Sequence, residues 1–147
     1  LGVIAHCPVV DTRAIVFDGK EHPVDSKDIA FQIAGREAFK KAVLQCNPVL
    51  LEPIVKLEVV VPQANMGDVM GDLNGKRGRI LTSGTEGSLA MVQALIPLGE
   101  VQNYQAGLKS MTGGEGSYTM EFDHYDIVPP NVHKMIVAEY EKEQEQK

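Results

Sequence analysis

The sequence predicts an α+β protein whose better-defined half is a split βαβ sandwich of order βαββαβ, and three observations carry that prediction. The first is a change of hydrophobic period at Pro62. Before it, Val55, Leu57, Val59 and Val61 alternate at period two; after it, Met66, Val69, Met70 and Leu73 recur at helical spacing. Proline has no N–H to donate and so interrupts a ladder. The second observation is that the pattern returns: Leu89 to Ile96 is apolar and ends at Pro97, Val101, Tyr104 and Leu108 carry helical spacing, and Ser117-Tyr-Thr-Met-Glu-Phe122 reads as a strand. The third is the punctuation. Asn74-Gly-Lys-Arg-Gly-Arg79 turns between helix and strand, Ser83-Gly-Thr-Glu-Gly87 forms a short hairpin between the two units, and Gly113-Gly-Glu-Gly116 leads into the last strand. Two strand-helix-strand units in tandem make a ferredoxin-like sandwich, which fixes a fold and not yet a function.

Taken in order, the chain opens with a strand signal over residues 8–17, closed by the turn dipeptide Asp18-Gly19. A polar loop, Asp-Gly-Lys-Glu-His-Pro-Val-Asp, runs to Asp25, and Asp25 or Ser26 is expected to cap the next helix. That helix, residues 27–46, places Phe31, Ala34, Ala38, Phe39, Ala42, Val43 and Cys46 on one stripe. Asn47-Pro48 ends it, because a residue before proline is pushed out of the helical region. One helix on one strand leaves most of its apolar face wet, so residues 1–52 are expected to be a partial βα module, the second half of a domain begun upstream. Residues 53–128 form the sandwich. In residues 129–147, Asn131 is the expected N-cap of a helix through Val132, Met135, Ile136 and Tyr140, followed by a charged, solvated tail.

Composition excludes several classes. A net charge of −6 does not suit a protein that coats nucleic acid by neutralising many phosphates, so any RNA contact must be local. No apolar run reaches the roughly 20 residues of a membrane span, and the first residues lack the positive stretch of a signal peptide. Cys7 and Cys46 have no CxxC partner, which points to reduced, buried thiols and to neither zinc nor a disulfide framework. No Ser-His-Asp or Cys-His arrangement is legible, so enzymatic activity is not expected of these residues. Gly71-Asp-Leu-Asn-Gly-Lys76 has too few residues between its glycines for a phosphate loop, and Arg77 stands where a Ser or Thr must hold magnesium.

Cys7-Pro-Val-Val-Asp11, Asp25-Ser26, Asn47-Pro-Val-Leu-Leu-Glu-Pro-Ile54, Met66-Gly-Asp-Val-Met-Gly-Asp-Leu73, Arg77-Gly78, Ile96-Pro-Leu98 and Ser117-Tyr-Thr-Met-Glu-Phe-Asp-His-Tyr125 together resemble the C-terminal part of translation elongation factor G. The match runs nearly the whole chain in one register. It implies the last half of the family's fourth domain, with its left-handed βαβ crossover, followed by the ferredoxin-like fifth domain. It also implies a cytoplasmic monomer that works on the ribosome, promoting movement of transfer RNA and messenger RNA. The family's GTPase lies in an N-terminal domain, so GTP and magnesium belong to the parent protein and no cofactor to this segment. Expected partners are the RNA of both ribosomal subunits, the tRNA–mRNA pair and that GTPase domain; no membrane is expected.

By the same resemblance the loop Gly19, Lys20, Glu21, His22, Pro23 and Asp25 is the tip that follows the tRNA, with His22 at the family's tip histidine. A His, a Lys and exposed N–H groups can meet phosphate and 2′-hydroxyl oxygens. Asp25 and Asp28 read more simply as a cap and a first-turn acid than as metal ligands with His22. Ribosomal RNA contacts fall to Lys76, Arg77 and Arg79 in the basic turn and to Lys109. The plain reading of that turn is a helix end, with Gly75 or Gly78 left-handed and Lys76 and Arg77 complementing the dipole. Departures from the family pattern are Glu100-Val-Gln-Asn-Tyr104, Lys109 for an arginine, Glu115 for a basic residue, and no aromatic at Lys20-Glu21. They leave open a diverged paralogue acting in recycling or ribosomal protection. A rival reading is a stand-alone ferredoxin-like module that binds a small effector, or another copy, across its sheet.

Overall fold

The structure, a computed structural model, describes residues 2–24 and 26–145. It divides into two compact units, one of residues 51–127 and one of residues 1–50 together with 128–147.

The unit of residues 51–127 is an α+β sandwich. Strand β1 (Leu51–Pro62) gives way at Pro62 to a 3-10 turn (Gln63–Asn65) and helix α2 (Met66–Gly75); α1 is the helix of the other unit. Strands β2 (Arg79–Glu86) and β3 (Leu89–Pro97) follow, then a 3-10 turn (Leu98–Val101), helix α3 (Tyr104–Thr112) and strand β4 (Ser117–Ile127). The sheet order is β2-β3-β1-β4 with antiparallel neighbours, the ferredoxin-like arrangement expected from the repeated period change. Val55, Leu57, Val59 and Val61 face Ile96, Ala94, Val92 and Ala90 across the register, and all eight are buried. Val69 and Leu73 of α2 and Val101, Tyr104 and Leu108 complete that core from the helical layer. Burial of each such side chain stabilises by roughly 1.5–3 kcal/mol, which is why this layer holds the unit together.

Two boundaries differ from expectation. The hairpin turn is Gly87-Ser88 rather than residues 83–87: β2 runs on through Thr85 and Glu86, and Gly87 takes the positive φ (61) of a two-residue hairpin loop. The last strand continues past Phe122 to Ile127, with a β-bulge where Ile54 and Val55 meet His124 and Phe122 and Asp123 is the extra residue.

In the unit of residues 1–50 and 128–147, helix α1 spans Asp28–Gln45 and helix α4 spans Pro130–Glu145. The strand expected over residues 8–17 is not formed. A strand needs a neighbour to take its N–H and C=O groups, and every strand among the described residues belongs to the other unit. Val16 and Phe17 are accordingly 91% and 94% exposed. The expected stripe on α1 is present in sequence but barely covered, with only Phe39 and Val43 of it half-buried. Cys7 and Cys46 are exposed, not buried, for the same reason. Helix α4 starts at Pro130, so Asn131 lies inside it and not at its cap, and the charged tail stays helical to Glu145. The rings of His6 and Tyr140 lie 5.2 Å apart.

Candidate functional site

The polar loop and the basic turn lie in different units, and each is built locally. In the loop, Asp18 Oδ1 accepts the N–H of the next residue, Gly19, at 2.8 Å. Ser26 is not the helix cap; its Oγ accepts the His22 N–H at 2.6 Å while its own N–H donates to the His22 carbonyl at 3.2 Å. Lys27 takes the N-cap position without a side-chain bond. These reciprocal bonds pin the backbone at His22, whose Nδ1 accepts from the Val24 N–H at 3.5 Å. Gly19, Lys20, Glu21, His22 and Pro23 are all exposed, whereas Asp25 lies outside the described residues. Among the described residues no three His, Cys, Asp or Glu side chains converge to hold a metal ion.

The basic turn ends α2 in a way that the sequence hides. The Gly78 N–H donates to the Leu73 carbonyl at 2.8 Å and the Arg77 N–H to the Asn74 carbonyl at 3.3 Å, a Schellman-type ending. The left-handed residue is neither Gly75 nor Gly78 but Arg77, at φ 59. Gly78 is needed for room: a Cβ there would stand 2.6 Å from the Leu73 carbonyl oxygen. The Arg77 guanidinium forks onto Glu52, Nη1 and Nη2 each donating at 2.8 Å, and its Nε donates to Glu100 at 3.0 Å. The Glu52 bonds, ahead of the other causes, push the Arg77 pKa up still further, so it stays charged. Lys76 pairs with Asp72 one turn back.

Arg79 is exposed at the first residue of β2, where its backbone pairs with Leu95, and no hydrogen bond or ion pair is found for its side chain among the described residues. Lys109 does not join this group. β1 and β3 are antiparallel, so α2 and α3 run in opposite senses and end at opposite ends of the sheet, which puts Lys109, in the last turn of α3, away from residues 74–79. Sequence reasoning missed Glu52 and Glu100, because separations of 25 and 23 residues leave no local signal. Nearby, Tyr104 is 2% exposed and its hydroxyl and Asp72 Oδ2 have no hydrogen-bond partner. Burial, reinforced by the Asp72 charge, pushes the Tyr104 phenol up. An open cleft of about 320 Å3 lies between α3 and the start of β4, lined by Gln105, Leu108, Gly116, Ser117 and Tyr118. It has no ionisable cluster of the kind that fixes a small effector.

Two family models match the chain in order: the one described as elongation factor G, domain IV, over residues 1–47, and the one described as elongation factor G C-terminus, over residues 49–136. A relative from Thermotoga maritima described as an elongation factor G-like protein is 47% identical over 146 residues, covering 99% of this chain and 21% of its own length. A crystal structure from Thermus thermophilus matches with a TM-score of 0.80 at 50% identity, over 96% of this chain and 21% of that one. The chain therefore spans about a fifth of the length of these relatives.

Proposed function

This chain belongs to the elongation factor G family, and from that premise we propose that it is the ribosome-engaging part of a translational GTPase, one that promotes tRNA–mRNA translocation during elongation. The observation that carries the reading is the order of the two family matches, one over the unit with the exposed loop and one over the sandwich with the basic turn. The reading asks no catalysis of these residues; nucleotide hydrolysis, with its GTP and magnesium, is assigned to the GTPase domain of the longer protein. The loop of Gly19, Lys20, Glu21, His22 and Pro23, with Asp25, acts at the decoding side by hydrogen bonding to RNA backbone. Arg79 supplies phosphate contact from the sandwich and Lys109 a separate one. The setting is cytoplasmic and the protein monomeric.

The test is His22→Ala in the longer factor. Translocation slows while thermal unfolding is unchanged; unaltered translocation removes the tip from the account. A second reading draws on the Thermotoga relative's description as elongation factor G-like and on the tip, where Lys20-Glu21 carries no aromatic: a diverged paralogue acting in recycling or ribosomal protection. Assays of translocation and of subunit splitting with the same preparation separate the two.

A further inference from the structure

Arg77 occupies a backbone position that glycine fills without strain, as Gly113 (φ 62) does at the end of α3. What arginine adds there is its fork. Three of its N–H groups are spent on carboxylates from two other segments, Glu52 at the start of β1 and Glu100 in the turn before α3. The trio carries one net negative charge, so it offers a polyanion repulsion and not attraction. The Glu52 and Glu100 side chains are 16% and 37% exposed and that of Arg77 29%, so solvent only partly screens the cluster. Bidentate arginine–carboxylate pairs fix direction as well as energy. The left-handed φ at Arg77, the Gly78 bond to Leu73 and the pairing of Arg79 with Leu95 then leave the Arg79 backbone little choice of direction.

We propose that Arg77 is a positioning residue of the ribosome-facing surface: braced by Glu52 and Glu100, it holds the turn that presents Arg79 to an RNA phosphate. The inference rests on the ribosome-binding reading above and assigns Arg77 a different role from that of a direct phosphate ligand.

The experiment is ribosome affinity against salt concentration for the longer factor, wild type and Glu52→Gln, Arg77→Lys, Arg77→Gln and Arg79→Gln, each measured below its own unfolding transition. Arg79→Gln weakens binding and makes the log–log salt slope shallower by about one, as loss of one phosphate contact does. Glu52→Gln removes a negative charge from the surface, yet weakens binding by about three- to tenfold with the slope unchanged, the opposite of what simple electrostatics gives. Arg77→Lys does the same, since an ammonium cannot reproduce the fork. Glu52→Gln binding as tightly as wild type or tighter overturns the proposal, even if its unfolding temperature falls. So does an Arg77→Gln variant with a shallower slope that Arg77→Lys restores, because Arg77 would then touch phosphate itself. If the wild type shows no salt-sensitive ribosome binding, it is the ribosome-binding reading that falls and takes this one with it.

Discussion

Helix α2 in the sandwich and helix α1 in the other unit both space apolar residues for a buried stripe, yet Val69 and Leu73 of α2 have no exposure while Phe31 of α1 is 49% exposed. The difference lies in what each helix meets. Met66, Val69, Met70 and Leu73 close onto a sheet whose inner face is apolar along β1 and β3. No strand stands beside α1 within its own unit among the described residues. Periodicity thus states what a helix can bury, and only a facing layer decides whether it does.

The sharpest way to break the comparison is to empty the buried layer. Leu73→Ala should lower the stability of the sandwich by about 3 kcal/mol, read as a shifted denaturant midpoint for the 147-residue chain. A midpoint moved by less than a third of that would mean the layer is looser than its burial indicates. Gly78→Ala comes next, at about 2 kcal/mol, because the new methyl group meets backbone and not a side chain that can swing away. Tyr104→Phe sharpens the comparison from the polar side. The phenol's raised pKa means that its stabilising contribution is fully present below the ordinary tyrosine range, near pH 10, and is lost as pH rises above it. The phenylalanine variant should lose that alkaline slope and, with no hydroxyl partner to sacrifice, stay within about 1 kcal/mol of wild type at neutral pH. Smallest of all, Phe31→Ser on α1 should change the stability of the chain by no more than about 0.5 kcal/mol. A larger loss would show that the stripe on α1 is covered in solution.

The sandwich was legible because its signals are local and agree with one another. Pro62 and Pro97 end β1 and β3, and the apolar sets on either side change period at those prolines. The strand over residues 8–17 was misread because alternation and β-branched residues describe a surface that fits a sheet, not the presence of one. At the basic turn the sequence marked the right segment but the wrong residue. Glycine is the default for a left-handed backbone, and Arg77 holds it instead with carboxylates that are distant in sequence. The loop at His22 was located by its turn residues and by resemblance. Its bracing through Ser26 was hidden because a serine before a helix ordinarily caps that helix.

The bulge at Asp123 bears on how copies of this protein meet. Strand β4 is an outer strand 11 residues long, and Met120, Phe122, Tyr125 and Ile127 leave it with a greasy flank. A straight rim of that length would be a template for open-ended stacking into fibrils. One surplus residue breaks the register midway, and a bulge of this kind bends the strand and strengthens its twist, so the rim is not the straight edge on which another strand stacks most readily.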